Sequence, residues 1–418
     1  MRGPAPMNVA IVDGYSTGAT LAKRLARAGV DCVHVQSQPD IGAFLLRSFT
    51  PDDYVLDLGF TADLENLTRE LARLRVSRVL AGTESGVVLA ETLASALGLP
   101  TNDPALVEAR RDKSLMRQAV QDAGLATPRS TVARSARAAA HWYAVSGLDE
   151  AVVKPLASAG TDGVTFCGSP EEVARAATAV LATTNIFGEP NDAVLVQERL
   201  HGTEYCVNTV SSSGEHHVAE IWRYTKRIGP SAAPIYDFQE PVAPTGVDGK
   251  VLIAYVRGVL DALGIAETPA HTEVMLTARG PVLIETGARL GGATGPDVVD
   301  AHLGPSQTAL AVTATIDPAS LHTRGTPAAD QGPVLRWVDF INHHPGPAHP
   351  DALTKIAELP SVVAVFPGFT PGQHLAPTNN MLTSPGFAYL VAPTRQELIE
   401  DYDTLRAWEH EGLYTSRY

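Results

Sequence analysis

The first hundred residues alternate between apolar runs and amphipathic stretches, and this alternation restricts the possible folds more than any other feature of the chain. "NVAIVDG" (8–14) has the pattern of a buried strand, and "ATLAKRLARAG" (19–29) that of a helix that ends at a glycine. Similar strand and helix patterns follow in "DCVHVQS", "DYVLDLGF", "LENLTRELARLR", "VSRVLAGTES" and "GVVLAETLASALG". Strands that alternate with helices predict a doubly wound parallel sheet, which binds ligands at the carboxyl ends of its strands.

Length, charge and cysteine spacing indicate the general class of protein. At 418 residues the chain exceeds what one hydrophobic core usually supports, so we expect about two to four subdomains around a shared cleft. A formal net charge of -14 disfavours nucleic acid and anionic membranes as partners and favours small-molecule chemistry. Cys32, Cys167 and Cys206 lack paired spacing, which predicts reduced core residues. No signal-peptide pattern and no membrane-spanning run is found, so the expected location is cytoplasmic.

The remaining chain has a less regular order of elements. "DPALVEARRDKSLMRQAVQDAG" (103–124) predicts a helix, and "SPEEVARAATAVLA" predicts another, with Ser169 as its N-cap. The Pro-rich stretch "GPSAAPIYDFQEPVAPTG" (229–246) predicts an irregular loop over a site. Further strands and a helix are predicted from "EAVVKPLASAGTDGVTFC", "AVLVQERL", "TEYCVNTVSS", "EHHVAEIWRYTKR" and "KVLIAYVRGVLDALG". The last part of the chain has the pattern of a small α+β unit.

Two glutamates and an arginine lie in "HTEVMLTARGPVLIETGARLGG" (271–292). If "TEVML" and "PVLIE" form a hairpin through "TARG", Glu273 and Glu285 converge at one end of it, where two hard oxygen ligands suit Mg²⁺. Arg289 lies among glycines, which let a phosphate approach the backbone while the guanidinium grips it. Taken alone, Glu273 and Glu285 could also be exposed glutamates at strand ends, and Arg289 could belong to a surface salt bridge.

Other candidate ligand contacts are spread along the chain. Lys154 ends a strand and is followed by the small-residue loop Ala157–Gly163, which can surround anionic oxygens with an ammonium and backbone N–H groups. Lys113 is a second basic candidate. In "LVQERLHGTEY", Glu198 and Glu204 flank a turn that can bind a purine and a ribose. The alternatives are a plain hairpin loop, a solvated helix face and a hairpin with charged flanks.

In combination these features are far more specific. Through "RRDKSLMRQAVQDAGLATP", "VVKPLASAGTDGV", "VQERLHGTEY" and the hairpin segment, the chain resembles the ATP-grasp family of carboxylate–amine ligases over essentially its whole length. The resemblance implies an α/β ATP-grasp fold with a Rossmann-like parallel-sheet domain, a central lid, an antiparallel-sheet ATP-binding core and a small C-terminal α+β domain. The corresponding boundaries are 1–105, 106–205, 206–325 and 326–418.

The resemblance also implies how ATP is bound. Lys113 and Lys154 would contact its phosphates, and Glu198 and Leu200 would form the adenine hinge, with Glu204 near the ribose. The loop that closes over the phosphates would include Ser158, Ala159, Gly160 and Gly163.

For the metal site, the resemblance makes Glu273 and Glu285 ligands of two Mg²⁺ ions, for which Mn²⁺ can substitute. Arg289 becomes the catalytic residue that holds the transferred phosphoryl group and the developing oxyanion. One position departs from the family pattern: many ATP-grasp enzymes have Asn two residues after the second glutamate, where this chain has Gly287. A water or another ligand is then expected to replace it.

"IETGARLGG", "HTE" and the C-terminal segment resemble the L-amino-acid ligase (dipeptide synthetase) branch. The implied reaction phosphorylates the carboxylate of one amino acid, and the amine of a second then forms a dipeptide or γ-glutamyl-type amide with release of ADP and phosphate. Glu84, His271 and Gly292 are the substrate candidates. Trp222, Arg223 and Lys226 could face either the phosphates or the acyl substrate, and the sequence does not choose between these two positions.

Two alternatives remain at this point. One is an ATP-grasp carboxylase or purine-pathway-type ligase, although no bicarbonate-handling motif is found. The other is a noncatalytic nucleotide-binding module on the N-terminal sheet, although "VDGYSTGAT" lacks G-x-G-x-x-G. Because dimerisation is common among similar ligases, a homodimer with small-molecule amino-acid substrates is expected.

Overall fold

The structure is a computed structural model, and it describes residues 7–156, 163–184, 190–229, 234–292, 294–323 and 333–415, except for the side chains of residues 43 and 44. Within these ranges, no helix is both long enough and apolar enough to cross a membrane. Cys32, Cys167 and Cys206 are buried and free, which confirms their predicted place in the core.

The N-terminal domain contains a four-stranded parallel sheet in the order β3-β2-β1-β4, which confirms the predicted sheet. Because β2 and β4 lie on opposite sides of β1, the order reverses beside β1, and ligands of such sheets bind at this reversal. The elements are β1 (Asn8–Val12), α1 (Thr17–Arg27), β2 (Asp31–Gln36), α2 (Ala43–Leu46), β3 (Leu56–Phe60), α3 (Leu64–Arg73), β4 (Val76–Ala81) and α4 (Val87–Ala96).

Both faces of this sheet are covered. Successive residues of a strand point to opposite faces, and along β1 Val9 and Ile11 join one buried cluster while Ala10 and Val12 join another. The first cluster contains residues of α1, and the second contains residues of α3 and α4. Burial on both faces explains why β1 is a continuous apolar run in the sequence.

The central unit is a four-stranded antiparallel sheet in the order β5-β8-β6-β7. Ser169 caps α7 by accepting a hydrogen bond from the backbone N–H of Glu172, which confirms the predicted N-cap. Helices α6 and α7 pack on the sheet around Tyr143 and Val173. The elements are α5 (Lys113–Asp122), β5 (Ser130–Ala133), α6 (Ala136–Ser146), β6 (Ala151–Pro155), β7 (Thr165–Cys167), α7 (Pro170–Leu181) and β8 (Val194–Glu198).

An eight-stranded antiparallel sheet in the order β13-β12-β9-β10-β11-β14-β18-β16 forms the largest part of the protein. Since β11 pairs with β14, the sheet runs without a break from the core into the C-terminal region. Its strands and the short pair β15–β17 are β9 (Gly202–Ser212), β10 (Glu215–Ile228), β11 (Pro234–Pro241), β12 (Pro269–Thr277), β13 (Gly280–Gly287), β14 (Val334–Asp339), β15 (Gly346–Pro347), β16 (Val362–Pro367), β17 (His374–Leu375) and β18 (Gly386–Ala392).

Six helices accompany this sheet in the described ranges. Ser306 caps α10 by accepting a hydrogen bond from the backbone N–H of Ala309. Helix α10 packs against α1 and β9, which joins the large sheet to the N-terminal domain. The helices are α8 (Val247–Ala262), α9 (Pro296–His302), α10 (Gln307–Ile316), α11 (Pro318–His322), α12 (Ala352–Ala357) and α13 (Arg395–His410).

Two local predictions were wrong. The stretch 229–246 is not simply irregular, because it contains strand β11, which pairs with β10 and β14. Pro234 and Pro241 are the first and last residues of β11, where the missing backbone N–H of proline interrupts the sheet hydrogen bonding least. The helix predicted from residue 103 begins only at Lys113, after two short 3-10 turns. Asp112 fixes that start by accepting hydrogen bonds from the backbone of Ser114 and Leu115.

Candidate active site

A cavity of about 340 Å³ lies between the central sheet and the eight-stranded sheet, and its size suits a small molecule. Strands β6, β7 and β8 contribute one wall and β9 to β13 the other. Its apolar lining includes Val152, Phe166, Leu200, Tyr236, Met275 and Ile284. Seven of the predicted site residues border it: Lys113, Lys154, Glu198, Leu200, Glu204, Glu273 and Glu285.

The predicted hairpin is present, and Glu273 of β12 lies directly opposite Glu285 of β13. Opposed residues of an antiparallel pair share a face of the sheet, so both carboxylates point to the same side. Lys113 Nζ lies 2.9 Å from Glu285 Oε2. Burial acts to raise the pKa of Glu285, but Lys113 and Lys154 outweigh it and hold that pKa at about 2. Glu285 is therefore ionised near neutral pH.

Lys154 is buried at the end of β6 and faces the same carboxylates. Burial lowers the pKa of Lys154 to about 8, although the charge of Glu285 opposes the shift. Lys113 is the first residue of α5 and approaches from the other side of Glu285. The two lysines and two glutamates thus form a compact group of hard donors and cations.

A second ion pair borders the same space. Lys226 Nζ of β10 lies 2.6 Å from Glu204 Oε1 of β9 and 4.4 Å from the centre of the Tyr236 ring. Burial acts to lower the pKa of Lys226, but the charge of Glu204 prevails and raises it. Lys226 is accordingly a cation at the cavity wall, and its charge is stabilised by the Glu204 carboxylate and by the face of the Tyr236 ring.

Of the candidates Trp222, Arg223 and Lys226, only Lys226 borders the cavity. Trp222 packs against Trp337 and Tyr389 in an apolar cluster, and Arg223 forms an ion pair with Glu240. Alternation along β10 separates Arg223 from Trp222 and Lys226, but these two are four residues apart on the same face, so local periodicity could not choose between them. Only the placement of the central sheet over the far end of β10 brings Lys226 to the cavity.

Glu198 and Leu200 border the cavity at the end of β8, where the adenine hinge was predicted. The Glu198 carboxylate accepts hydrogen bonds from Arg279, at 2.7 Å, and from the backbone N–H of Arg129. The backbone N–H of Glu198 donates to the carbonyl of Arg129. In this structure Glu198 therefore stabilises the junction between strands, and its assignment to adenine stays a prediction.

The predicted phosphate loop lies mostly outside the described residues: Ser158, Ala159 and Gly160 fall there. Gly163 is described and has a φ of 65°, a left-handed conformation that favours glycine. A Cβ on Gly163 would also meet the ring of Pro155 at 3.0 Å. This end of the loop consequently packs closely on the strand that contains Lys154.

Arg289 and Glu84 form an ion pair that joins the core to the N-terminal domain. Arg289 Nε lies 2.9 Å from Glu84 Oε2, and Arg111 lies 3.5 Å from the other carboxylate oxygen. Glu84 follows β4, at the reversal of strand order in the parallel sheet. A Cβ on Gly287 would lie 2.6 Å from Glu84 Oε2. Gly287 is thus the residue that makes room for this ion pair, and an Asn there would displace Glu84.

His271 and Gly292 have different surroundings. His271 contacts Asn208 at 2.8 Å and Glu273 at 3.6 Å, so it lies behind the metal-ligand candidate. Gly292 is exposed, and a Cβ there would meet nothing within 4 Å. The substrate roles of both residues stay predictions.

Sequence comparison reveals a relative over nearly the whole chain. Dapdiamide A synthase of Enterobacter agglomerans is 31% identical over an alignment 418 residues long, and the alignment covers 97% of each protein. The family model described as phosphoribosylglycinamide synthetase, ATP-grasp (A) domain, matches residues 111–233. This match spans the described part of the central unit and the strands that contain Glu204 and Lys226.

Solved structures show the same fold. L-amino acid ligase from Bacillus licheniformis superposes with a TM-score of 0.75 at 20% identity, covering 97% of this chain and 98% of the ligase. Carboxyaminoimidazole ribonucleotide synthase from Aspergillus clavatus, solved with ATP, gives a TM-score of 0.70 at 13% identity, covering 97% and 99%. The parallel sheet, the central sheet and the large antiparallel sheet therefore form an ATP-grasp fold, which confirms the predicted fold class.

The comparisons agree with the geometry of the cavity, in which paired carboxylates lie among lysines between two antiparallel sheets. The chain belongs to the ATP-grasp family of carboxylate–amine ligases, and it is an ATP-dependent enzyme that forms amide bonds.

Proposed function

We propose that the enzyme joins the carboxylate of one amino acid to the amine of a second through an acylphosphate intermediate, with release of ADP and phosphate. The observation behind this proposal is the Glu273–Glu285 pair, opposed across the hairpin and flanked by Lys113 and Lys154. Beyond it, Arg289 is held by Glu84 of the N-terminal domain. Phosphoryl transfer and the attack on the acyl group would then take place between the paired glutamates and the Arg289–Glu84 pair.

The first step is transfer of the γ-phosphoryl group of ATP. A carboxylate oxygen of the first amino acid attacks phosphorus, and the bond between phosphorus and the bridging oxygen of ADP breaks. Such transfers depend on alignment and on neutralisation of charge. Lys113, Lys154 and Lys226 are three of the cations that border the cavity where the triphosphate would lie.

Ligases of this family generally use a divalent metal, and we propose Mg²⁺ held by Glu273 and Glu285. Their carboxylate oxygens are the hard donors that Mg²⁺ prefers, and the hairpin aims both to one side. When bound, the ion would neutralise charge on the phosphates. The low pKa of Glu285 keeps this donor ionised without the ion.

In the second step the amine nitrogen attacks the acyl carbon, phosphate leaves with the acyl–oxygen bond pair, and the nitrogen loses a proton. The negative charge that develops on the acyl oxygen needs a fixed cation. We propose that Arg289 supplies it and that Glu84 acts as a positioning residue, because its carboxylate holds Arg289 Nε at 2.9 Å. Water has to be excluded from the acylphosphate, and the loop around 157–163 is the proposed lid.

Support for amino acids as substrates comes from the relatives. The full-length relative at 31% identity is named for the synthesis of dapdiamide A, and the solved ligase with the same fold is an L-amino acid ligase. The side of the site that faces the N-terminal domain contains Glu84, Arg111 and Arg289, which are suited to charged small substrates.

The proposal is tested by incubating the purified protein with ATP, Mg²⁺ and pairs of amino acids, followed by mass spectrometry of the products and a phosphate assay. A productive pair should give a mass equal to the sum of the two amino acids less one water. With hydroxylamine in place of the amine, the acylphosphate should be trapped as a hydroxamate of the first amino acid.

A parallel reaction with bicarbonate and an amine distinguishes the carboxylase alternative. Phosphate release that requires bicarbonate, with no dipeptide from a broad panel, would refute amino-acid ligation. ATP binding without phosphate release under every condition would instead favour a noncatalytic nucleotide-binding module.

A further inference from the structure

Three potential metal ligands meet at the end of the large sheet remote from the cavity. Glu215 and His217 lie at the start of β10, and His322 is the last residue of α11. One ligand atom of each lies within 4.8 Å of the others. Glu215 Oε2 is 2.7 Å from His322 Nδ1 and 4.0 Å from His217 Nε2. We name these three residues the Glu215–His217–His322 cluster.

The local structure explains why they converge. Residues two apart on a strand point to the same face, so Glu215 and His217 project together from β10. The end of α11 brings His322 over them, and the two imidazole ring centres are 5.3 Å apart. Two ligands thus come from one strand and a third from another element, and the Glu215 side chain is 65% exposed to solvent.

His217 provides an independent observation. Its Nε2 atom is buried and has no hydrogen-bond partner among the described residues, although it faces Glu215. A buried ring nitrogen without a partner is uncommon, because its desolvation is then uncompensated.

We propose that the Glu215–His217–His322 cluster binds a divalent transition-metal ion of the Zn²⁺ class, with water as the fourth ligand. Imidazole and carboxylate together suit Zn²⁺ rather than Mg²⁺. Tetrahedral coordination at ordinary Zn²⁺ distances separates ligand atoms by roughly 3.3 Å. The separations of 2.7 and 4.0 Å lie on either side of that value, so small side-chain rotations suffice.

This site is separate from the ATP cavity. His217 and Lys226 belong to the same strand, and at roughly 3.3 Å per residue they are about 30 Å apart along it. The ion would therefore not take part in phosphoryl transfer. It would tie α11 to the turn between β9 and β10, just before the chain continues towards β14 and the C-terminal region.

The test uses the untagged full-length protein, freed of metal by a chelator and dialysed, without ATP. Titration with Zn²⁺ should give one tightly bound ion per chain by calorimetry and elemental analysis, and should raise the melting temperature by roughly 2–5 °C. Mg²⁺ in large excess should not displace it. His322→Ala and His217→Gln should each weaken Zn²⁺ binding at least about tenfold.

Two matched variants make the result decisive. His141→Ala removes an exposed histidine of α6 and should leave Zn²⁺ binding unchanged. Glu285→Gln should also retain the tight site, because it alters only the ATP cavity. If both cluster variants bind Zn²⁺ as the unmodified protein does, or if Glu285→Gln alone abolishes binding, the assignment is wrong.

Discussion

Two groups of largely buried charges lie on the same eight-stranded sheet, and their surroundings differ. In the C-terminal charge cluster, Arg406 donates hydrogen bonds to Asp237, to Glu409 and to the carbonyl of Asp339. Glu409 also accepts from Tyr414 and from a backbone N–H. In the cavity, by contrast, Glu285 is beside Lys113 and Glu204 is beside Lys226, and both pairs border open space.

The difference indicates what each group is for. A charge enclosed by fixed donors can change partners only if the core opens, and removal of one partner leaves the other charge buried and uncompensated. A charge that borders a cavity can exchange its protein partner for a ligand without opening the core. Substitutions in the C-terminal charge cluster should therefore reduce stability with little effect on turnover, and those in the cavity should do the reverse.

The largest effect is expected from Arg406→Met. This change leaves Glu409 buried without its cation and Asp237 with Arg227 alone, which should lower the free energy of unfolding by about 3–5 kcal/mol. Chemical denaturation measures the loss, and kcat per folded molecule should stay unchanged.

Arg395→Met is the matched control, because Arg395 pairs with Glu240 while its side chain is 59% exposed. An exposed pair of this kind should contribute less than about 1 kcal/mol. Equal losses of stability in the two variants would show that enclosure is not what distinguishes the C-terminal charge cluster.

Next in size is the loss of a metal-ligand candidate from the cavity. Glu273→Gln keeps the shape of the side chain but weakens it as a ligand, so kcat should fall by about 10²–10³-fold. Its neighbour His271 is 3.6 Å away, and the free energy of unfolding should change by less than about 1 kcal/mol. Steady-state kinetics and denaturation of the same preparation test both statements.

Glu171→Gln, an exposed glutamate of α7, controls for the substitution itself. Undiminished turnover in Glu273→Gln would remove this residue from the site.

A smaller effect is expected where the cavity meets the N-terminal domain. Glu84→Gln should lower kcat by about tenfold, since a charged hydrogen bond to Arg289 is weakened, and should leave the KM for ATP unchanged. Gly287→Ala should act in the same direction, because its Cβ would displace the Glu84 carboxylate.

Gly168→Ala is the control for the glycine substitution, since a Cβ there makes only an ordinary contact of 3.7 Å. A rise in the KM for ATP with unchanged kcat would show that Glu84 does not act through Arg289.

The parts of the site that could be predicted are those with short sequence separation. Glu273 and Glu285 belong to one hairpin, so their spacing and the turn between them fix their register. The alternation along β1 likewise predicted a buried parallel sheet. In each case the physical signal is local periodicity.

The parts that could not be predicted depend on distant contacts. Glu84 and Arg289 meet across 205 residues, and nothing in either segment indicates the other. Strand β11 was missed because its flanking prolines suggest a loop, whereas its stability comes from pairing with β10 and β14. The buried Arg110 similarly has Glu91 and the Leu263 carbonyl as partners, which a charged helix pattern does not reveal.

The smallest expected effect is a pH dependence that separates ligand binding from stability at a single residue. Burial lowers the pKa of Lys154 to about 8 in the folded protein, below its ordinary value of 10.5. Between these values the unfolded chain binds more protons than the folded one, so stability without ATP should rise with pH across this window. Around the lower of these values the folded protein loses the Lys154 charge that we propose attracts phosphate, so the KM for ATP should rise several-fold from pH 7 to pH 9. In Lys154→Gln the KM should be high at pH 7 and nearly constant to pH 9, because no proton remains to be lost. A parallel rise of KM in both proteins would assign the titration to another group, and Lys154 would then belong with the enclosed charges rather than with those that bind ATP.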